Sequence, residues 1–435
     1  MTHIIQFRRS RENIVYESPQ LSPSGNAFMP TTAFVPLIQH KGLPARAVVS
    51  PGETVREGQL IARGTGPESA NVHSPIPGIV REFRRIPLPD GSMGEAACIE
   101  LAGSFGISGR REERNAWKNI GPSEILRILE DRGIVNTFGE TVPLAPQLRS
   151  ALKAERPAIV LRLFDRDPTC GLDESLARHF TREVLEGTAI IARAISAETV
   201  CLIDVGKKWR IPDGIDKESI FGKTNVVETW TTGKYPSGNE SQVRSQVTAR
   251  CPELMNRETV YIDPSTAVSA YDSIVRNQPA LYRHVLILGP AIGKPAFLKV
   301  KIGTSIGDLI EECGGVRTQP SRIIVNGLLT GTAIYDLDTP VTKYTKSFHL
   351  MDRESCPDFE VKDCIHCGRC LQVCPVRIDP MRTVTAIRKE RVSAGIEESI
   401  EKCQGCGCCA IVCPSRIPLH HIIRASSKRN GGKGK

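Results

Sequence analysis

The sequence repeats one cysteine pattern, C-x2-C-x2-C-x3-C-P, as CIHCGRCLQVCP at residues 364–375 and as CQGCGCCAIVCP at residues 403–414. A cubane 4Fe–4S cluster needs four thiolates, and three closely spaced cysteines can surround only one side of it. In the bacterial form of this motif the fourth cysteine binds the other cluster. We therefore predict two clusters with exchanged fourth ligands. Cluster 1 would be bound by Cys364, Cys367, Cys370 and Cys413, and cluster 2 by Cys403, Cys406, Cys409 and Cys374.

Other uses of cysteine fit this pattern less well. A structural zinc site needs one tetrahedral set, usually two CxxC pairs, and disulfide frameworks are typical of short secreted chains. Cys408 could compete with Cys409, but only Cys409 restores the spacing of the first copy. The remaining six cysteines are scattered and are expected to be buried free thiols. They are Cys98, Cys170, Cys201, Cys251, Cys313 and Cys356.

Composition narrows the class of protein. At 435 residues the chain is long enough for three or four domains, and 40% of its residues are hydrophobic. No stretch approaches the ~20 apolar residues of a membrane span. The start, MTHIIQFRRSRE, lacks the apolar run of a signal peptide. We therefore expect a soluble chain in a reducing compartment.

The formal net charge of +9 is concentrated towards the C-terminus, since residues 376–435 contain 12 Lys or Arg and 5 Asp or Glu. Part of this basicity is expected to compensate for the negative charge of thiolate-bound clusters. Residues 428–435, KRNGGKGK, are predicted to be a disordered basic tail. Nucleic-acid binding is not predicted, because only 5% of residues are aromatic and no base-stacking motif accompanies the charge.

Residues 1–115 are predicted to form a barrel of short strands, because apolar residues such as Val48 and Val55 alternate beside Gly and Pro turns. The stretch at 35–62, VPLIQHKGLPARAVVSPGETVREGQLIA, resembles a biotinyl/lipoyl-type barrel, a barrel-sandwich hybrid. Such carriers have a lysine at the hairpin tip, where this chain has Ile76 and Pro77. We therefore predict a docking domain without covalent lipoyl or biotin.

Residues 116–284 are predicted to form an α/β domain. The strand AIVLRLF at 158–164, one long helix at 175–195 and the strand TVCLIDV at 199–205 have the spacing of a parallel βαβ unit. An earlier helix is expected at 124–133, with Ser123 as N-cap and Gly133 at its end. Asp165, Asp167 and Asp173 follow the first strand, where such sheets bind ligands. Alternatively, these acids cap the next helix.

Two smaller domains are expected after this. Residues 285–350 should form a β-grasp-like unit, with two strands and then the short helix SIGDLIEECGG at 305–315. Residues 351–427 should form an α-helical two-cluster ferredoxin domain, helical in period at 381–395 and at 417–426. His366, His420 and His421 lie near the motifs but are expected to be surface or outer-sphere groups, because each motif already has four cysteines.

Together, this order of domains resembles the C subunit of the Rnf-type ion-translocating electron transport complex over nearly the whole chain. The most specific segments are VPLIQHKGLPA (35–45), KYPSGNESQ (234–242), GLLTGTAI (327–334) and the two cysteine motifs with the continuation CPSRIPL. The resemblance implies a peripheral subunit at the cytoplasmic face of the plasma (inner) membrane, bound to the other subunits of the complex. It also implies an α/β domain similar to the complex I flavoprotein subunit, passing electrons from NADH through FMN to both clusters.

The chain departs from the family pattern where NADH and FMN should bind. The family loop GxGGAGFPTxxK lets the backbone approach phosphates closely, and the corresponding stretch here is GIVNTFGETVPLAPQL at 133–148. Three glycines, an alanine and the lysine of the pattern are replaced by Asn136, Phe138, Glu140, Thr141 and Gln147. The family's ECEP loop appears as DRDP at 165–168, and FRRSRE at 7–12 stands in place of the GGIHPPE opening.

The resemblance nevertheless identifies a set of residues for the flavin and NADH region. They are Gly133, Gly139, Asp165, Asp167, Lys234 and Glu240. Besides an electron-transfer subunit fed by NADH, other functions stay open. The chain could be a relay or docking subunit without its own flavin, fed by a soluble redox donor. It could also be an NADH dehydrogenase with a divergent pocket, or an iron–sulfur reductase serving a soluble metabolic enzyme.

Overall fold

The computed structural model describes residues 2–8, 13–17, 19–107, 114–207 and 209–431. The chain begins with an antiparallel hairpin of β1 (Thr2–Gln6) and β2 (Asn13–Glu17). This hairpin does not join the barrel that follows. Phe7 instead forms a parallel bridge with Tyr235, and Ile5 and Phe7 are buried against Tyr235 and Leu329. The predicted barrel domain at 1–115 therefore contains a segment that packs elsewhere, because its apolar side chains cover a different core.

The barrel consists of two sheets packed face to face. Its strands are β3 (Thr32–Pro36), β4 (Arg46–Ala47), β5 (Thr54–Val55), β6 (Leu60–Arg63), β7 (Val72–His73), β8 (Gly78–Pro87) and β9 (Met93–Leu101), in the orders β3-β9-β8-β5 and β4-β6-β7. Ile76, at the position of the carrier lysine, is completely buried in the core with Val55. Val48 does not join this core and is exposed, whereas its neighbour Val49 is buried.

The α/β domain is built on a four-stranded parallel sheet. Its elements are α1 (Pro122–Asp131), β10 (Val135–Asn136), β11 (Val142–Pro143), α2 (Leu144–Leu152), β12 (Ala158–Arg162), α3 (Leu172–His179), α4 (Thr181–Ala194), β13 (Thr199–Val205), α5 (Lys217–Phe221), β14 (Asn225–Thr231), α6 (Glu240–Arg250), β15 (Thr259–Ile262) and α7 (Pro264–Ile274). The sheet order is β14-β13-β12-β15, and every neighbouring pair is parallel. The parallel βαβ arrangement expected from the strand spacing is present.

Two helix predictions in this domain were wrong in detail. The helix α1 is preceded by Gly121, with Pro122 in its first turn, so Ser123 is not its N-cap. The long helix expected at 175–195 is two helices that meet at Phe180, whose backbone is not helical. The Phe180 ring packs on His284 and Phe297 of the next domain. This contact between domains accounts for the break.

The third domain is a five-stranded mixed sheet with one helix. It contains β16 (Tyr282–Leu288), β17 (Ala296–Lys301), α8 (Ile306–Glu312), β18 (Arg322–Val325), β19 (Thr332–Ile334) and β20 (Ser347–Met351). The order is β17-β16-β20-β18-β19, in which only the central β16 and β20 pair is parallel. This order is typical of a β-grasp. Ser305 caps α8 by accepting a hydrogen bond from the N–H of Asp308.

The C-terminal domain is helical: α9 (Arg369–Val373), α10 (Pro380–Arg388), α11 (Ala394–Lys402), α12 (Cys408–Ile411) and α13 (Leu419–Gly431). The helical stretch predicted between the motifs is interrupted between α10 and α11. The predicted tail at 428–435 begins inside α13, and 432–435 lie outside the described residues. Within the described part of the chain, no helix has both the length and the apolar character needed to cross a bilayer.

Candidate functional site

The two cysteine motifs adopt matching backbone conformations, so the C-terminal domain is an internal repeat. Each position of the first copy corresponds to one 39 residues later. Three such pairs share positive φ angles. They are His366 (55°) with Gly405 (61°), Gly368 (71°) with Gly407 (75°), and Arg377 (58°) with Arg416 (55°). Gly368 and Gly407 each precede a short helix that carries the third cysteine. The two loops are therefore shaped alike around their cysteines.

The fourth cysteine of the first copy lies beside the cysteines of the second. Burial raises the pKa of Cys403, and the negative charges of Cys406 and Cys374 act in the same direction. Burial also raises the pKa of Cys374, while hydrogen bonds from backbone N–H groups, including that of Val376, oppose this. Cys374 thus lies close to Cys403, as the predicted exchange of fourth ligands would require.

The reciprocal contact is present at the other group. Burial raises the pKa of Cys370, and the charges of Asp379 and then Cys413 add to this effect. Cys370 in turn is among the charges that raise the pKa of the buried Cys409, so the two groups of cysteines are adjacent. This proximity is consistent with the predicted ligand sets, which stay a prediction.

Motif cysteines that pack together, such as Cys364, Cys370, Cys403, Cys409 and Cys413, are donors of the kind that bind 4Fe–4S clusters. Within the described ranges, no three His, Cys, Asp or Glu side chains are close enough together to hold a single metal ion. A cubane is larger than one ion, so its ligands stand further apart. Backbone N–H groups lie at several sulfurs, including the N–H of His366, 3.4 Å from the Cys364 Sγ. Such hydrogen bonds influence the reduction potential of a cluster.

The side chains of Cys408 and Cys409 lie in different surroundings, although the two residues are consecutive in α12. Cys409 packs in the core formed by α10, α11 and α13, next to Cys370 and Cys403. Cys408 is completely buried in another apolar cluster, with Phe7, Tyr235 and the motif cysteine Cys406. Successive helical residues point about 100° apart, so the two thiols face different neighbours. Cys409 packs with cysteines of both motifs, which favours it as the ligand.

The loop of cluster 2 at 403–407 is covered by the chain's own α/β domain. Arg166 Nη2 donates to the backbone oxygen of Gln404 at 2.6 Å, and the Tyr235 hydroxyl donates to that of Cys406 at 2.6 Å. Asn239 Nδ2 lies 3.1 Å from Gln404 Oε1. A Cβ at Gly407 would meet the Leu329 oxygen at 2.5 Å, so the β-grasp domain also touches this loop. The KYPSGNESQ segment thus contacts a cluster loop.

Sequence reasoning did not identify Arg166 or Gln404 as functional residues. Gln404 is an ordinary polar residue between two cysteines, and nothing local predicts its partner more than 150 residues away. For Arg166 a signal existed, because it occupies the place of the cysteine in the family's ECEP loop. Tyr235 was noted only as part of a similar segment.

The loop of cluster 1 is exposed where that of cluster 2 is covered. Cys367 is exposed, and Ile365, which corresponds to Gln404 in the repeat, is 67% exposed. Three further large apolar side chains are exposed nearby in the sequence: Phe359, Val361 and Leu371. We call these four side chains the cluster 1 face. These side chains are about half exposed or more.

The carboxylates of the two acids predicted for the flavin region accept hydrogen bonds from other groups of the chain. Asp165 is buried, and its carboxylate accepts from the N–H groups of Asp173 and Glu174 at 3.0 and 3.1 Å, which caps α3. Burial raises the pKa of Asp165 to about 7, and the Asp173 carboxylate adds to the shift. The capping alternative is therefore confirmed for Asp165.

Asp167 connects the α/β domain to the β-grasp domain. Its Oδ2 accepts from the N–H groups of Leu329 and Thr330 at 2.8 and 2.7 Å, and its Oδ1 accepts from Thr169. A Cβ at Gly327 would lie 2.6 Å from the Asp167 carboxyl carbon, so glycine is required there. The Asp167 carboxylate therefore links the α/β domain to the β-grasp domain through hydrogen bonds.

The loop that replaces the family's glycine-rich sequence is filled by its own side chains. The N–H of Thr137 donates to Thr266 Oγ1 at 2.9 Å, and the N–H of Phe138 donates to Asn136 Oδ1 at 3.1 Å. These two backbone donors are therefore not free for a phosphate. The guanidinium of the fully buried Arg162 lies 4.3 Å from the centre of the Phe138 ring. The residues present do not fit a flavin or nicotinamide phosphate.

The other predicted residues of this region are dispersed. Gly133 packs against the barrel, where a Cβ would lie 2.1 Å from the Asn71 oxygen. Lys234 is exposed, and Glu240 is exposed and pairs with Arg244. A Cβ at Gly139 would come within 3.8 Å of Glu240 Oε2, so these two positions lie close together. A surface cavity of about 420 Å³ lies elsewhere, lined by residues 154–156, 253 and 255–258.

Comparison with known proteins supports the modular organisation. The family model described as RnfC Barrel sandwich hybrid domain matches residues 18–104, and the 4Fe-4S dicluster domain model matches residues 363–417. The chain is 29% identical over 360 residues to the C subunit of the proton-translocating ferredoxin:NAD(+) oxidoreductase complex of Clostridium ljungdahlii. That alignment covers 81% of this chain and 78% of the relative.

Two further relatives extend the similarity. The C subunit of the ion-translocating oxidoreductase complex of Rhodobacter capsulatus is 28% identical, covering 86% of this chain and 72% of its own. The C subunit of the Na(+)-translocating ferredoxin:NAD(+) oxidoreductase complex of Acetobacterium woodii is 25% identical, covering 84% and 83%. Among solved structures, an NAD+-reducing [NiFe]-hydrogenase chain superposes with a TM-score of 0.49 and 15% identity, covering 72% of this chain and 67% of that one. A superposition at this score does not establish a shared fold.

Proposed function

Because this chain is a divergent relative of the C subunits of Rnf-type ion-translocating electron transport complexes, we propose that it relays electrons in such a membrane-associated complex. The observation that carries the proposal is the doubled cysteine motif, in which Cys374 and Cys413 each lie beside the cysteines of the other copy. Each 4Fe–4S cluster supplies a one-electron carrier when bound. The chain's own residues hold two such centres next to each other and bury one side of the pair.

The electrons enter from a partner protein and not from a flavin bound to this chain. This is supported by the loop at 133–148, whose backbone donors at Thr137 and Phe138 are already used within the domain. It is also supported by Asp165 and Asp167, whose carboxylates cap a helix and join domains. The domain that binds flavin and NADH in the family resemblance would here act as a scaffold for cluster 2.

The relay has one covered end and one open end. The loop of cluster 2 is held by Arg166, Tyr235 and Asn239, whereas the corresponding positions around Ile365 and Cys367 are exposed. One partner of the relay, donor or acceptor, would therefore exchange electrons at cluster 1, across the cluster 1 face, and the other would exchange them with cluster 2 through the domains that cover its loop. The partner belongs to the same membrane complex, and the chain would sit peripherally at its cytoplasmic side.

An anaerobic titration of the purified, iron-replete chain tests this function. We expect about eight iron atoms per chain for two cubanes, no stoichiometric flavin, reduction by dithionite and no reduction by NADH. Absorbance and EPR spectra of the reduced clusters give the readout. Reduction by NADH together with bound flavin would overturn the relay and favour a working divergent pocket. Absence of iron after reconstitution would overturn both alternatives.

A second experiment separates the membrane complex from an iron–sulfur reductase that serves a soluble enzyme. Mild detergent extraction, followed by affinity purification of the tagged full-length chain, should recover hydrophobic subunits in fixed ratio. Recovery of a soluble metabolic enzyme in place of membrane subunits would favour the reductase. The relatives' names favour the first outcome, because each is a subunit of an ion-translocating complex.

A further inference from the structure

We propose that Arg166 raises the reduction potential of cluster 2 by holding a positive charge against the loop at 403–407. This inference rests on the proposed function, since it requires that the chain carries both clusters. It assigns a role to a residue outside the cysteine motifs that was not among the residues predicted for the flavin and NADH region, although it lies between Asp165 and Asp167. Arg166 acts through charge and position, so it is a positioning residue.

The guanidinium of Arg166 is fixed in place from two directions. Its Nη2 donates to the Gln404 backbone oxygen at 2.6 Å, and its Nε donates to Asn239 Oδ1 at 3.1 Å. Gln404 is itself anchored, because its Nε2 donates to Ser241 Oγ at 2.6 Å. A Cβ at Gly238 would come within 2.7 Å of the Arg166 Cα, so the opposing segment closes tightly on this residue. The charge therefore has one defined location.

In the part of the chain that the structure describes, no carboxylate pairs with this charge. Among the described residues Arg166 forms no ion pair, whereas the buried Arg162 four residues earlier pairs with Asp173 at 3.4 Å. The adjacent Asp165 and Asp167 direct their oxygens to N–H groups elsewhere. A guanidinium stays protonated in proteins. A full positive charge therefore lies beside the loop that carries Cys403 and Cys406.

This charge favours the reduced state of cluster 2. Reduction adds one negative charge, and a nearby cation stabilises it, more strongly where burial limits screening by water and salt. Arg166 is partly buried. At cluster 1 the corresponding loop position is the exposed Ile365, and the nearby charge is the Asp379 carboxylate.

The test is a redox titration of the full chain, followed by EPR, in wild type and in Arg166→Gln. We expect the reduction potential of one of the two clusters to fall by at least about 59 mV, which is a tenfold change in the equilibrium constant of a one-electron reduction. The iron content should stay unchanged. Cys367→Ser, which disrupts cluster 1, assigns the shifted couple to cluster 2. Arg166→Lys should restore most of the potential, because it keeps the charge.

Two further variants keep the proposal testable if Arg166→Gln loses a cluster. Asn239→Asp places a carboxylate on Arg166 Nε without removing the arginine, and it should lower the same couple. Arg127→Gln is the matched control, because Arg127 is an exposed arginine whose ion-pair partners, Glu124 and Asp131, lie in or beside its own helix α1. It should leave both potentials unchanged. Unchanged potentials in Arg166→Gln and Asn239→Asp, or equal shifts in the Lys and Gln variants, would overturn the role of charge. Two EPR-active clusters in the same samples would leave the proposed function standing.

Discussion

At the scale of single residues, the pair Cys408 and Cys409 shows how packing resolves an ambiguity of the motif. Both thiols are buried, and they lie next to each other in the chain. Cys409 packs with Cys370 and Cys403, whereas Cys408 packs with Phe7, Tyr235 and Cys406 and hydrogen bonds to Cys406. Cys408 therefore behaves as a small apolar residue beside a ligand.

Replacing these cysteines should have opposite effects. Cys367→Ser removes a thiolate of cluster 1 and opens a coordination site, so we expect loss of about half of the iron and of one EPR signal. Cys408→Ala should keep both clusters, at a cost of about 1 kcal/mol in stability from lost packing. Iron analysis and EPR decide both. Loss of a cluster in Cys408→Ala would mean that the second motif uses a different register.

Lys343 is a buried lysine at the junction of three domains. Its Nζ donates to the backbone oxygens of Asn71 in the barrel and Gly133 in the α/β domain, at 2.6 and 2.8 Å. No carboxylate pairs with it in the part of the chain that the structure describes. Burial lowers the pKa of Lys343 to about 7. The junction is therefore sensitive to pH in the neutral and alkaline range.

The sign of this sensitivity follows from linkage. Lysine in an unfolded chain has a pKa of about 10.4, so between pH 7 and 10 the unfolded state binds more protons and the free energy of unfolding rises with pH. This contribution is lost as the pH falls to about 7. We expect Lys343→Met to reduce the increase of the free energy of unfolding with pH by about 1 kcal/mol per pH unit. Denaturant unfolding midpoints at pH 7.5 and 9 measure this. The exposed Lys41→Met is the control and should keep the wild-type slope.

At the scale of elements, the loop at 133–148 packs between domains. Gly133 has a φ of +67° and closes on Asn71 of the barrel, which leaves no room for a Cβ. The same loop continues into the short strands β10 and β11 and into a network around Asn136 and Thr137. Its remaining glycines are therefore explained by local contacts.

Two glycine substitutions in this loop test the explanation. Gly133→Ala should destabilise the chain by about 2–4 kcal/mol, because it combines a strained φ with a backbone clash. Gly139→Ala meets only Glu240 Oε2, at 3.8 Å, and should cost less than about 0.5 kcal/mol. Denaturant midpoints give the comparison. A near-neutral Gly133→Ala would show that the contact with the barrel is not tight.

At the scale of the whole molecule, the chain surrounds one cluster and presents the other. The N-terminal hairpin, the α/β domain and the β-grasp loop all contact the second motif, through Phe7, Tyr235, Arg166 and Leu329. The equivalent surface of the first motif carries exposed apolar side chains instead. Since the two loops are related by an internal repeat, this difference arises from the surrounding domains.

A polar substitution on the cluster 1 face should therefore impair transfer to a partner without affecting the clusters. We expect Ile365→Asp to slow electron exchange with the membrane subunits about tenfold, equivalent to about 1.4 kcal/mol, while iron content and reduction by dithionite stay unchanged. Met255→Asp, at an exposed apolar residue of the α/β domain, is the control. Equal rates in wild type and Ile365→Asp would place the partner elsewhere.

The sequence alone determined the parts of this protein that depend on local spacing. Two C-x2-C-x2-C-x3-C-P motifs predict two cubanes, because the ligands of such a cluster come from a short loop. The resemblance to Rnf-type C subunits, the iron–sulfur domain and the barrel-sandwich domain are confirmed by the comparisons. Strand spacing also predicted the parallel sheet. Two parallel strands need a crossover connection, usually a helix, and the spacing leaves room for one.

Tertiary structure decided what no local pattern contains. The roles of Asp165 and Asp167 depend on N–H groups supplied by α3 and by a loop some 160 residues away. The break at Phe180 depends on rings of another domain, and the cover over cluster 2 depends on Arg166 meeting Gln404. Burial and pairing are set by contacts between distant segments. The sequence shows which polar side chains are present. Only the fold shows which of them already have hydrogen-bond partners within the chain.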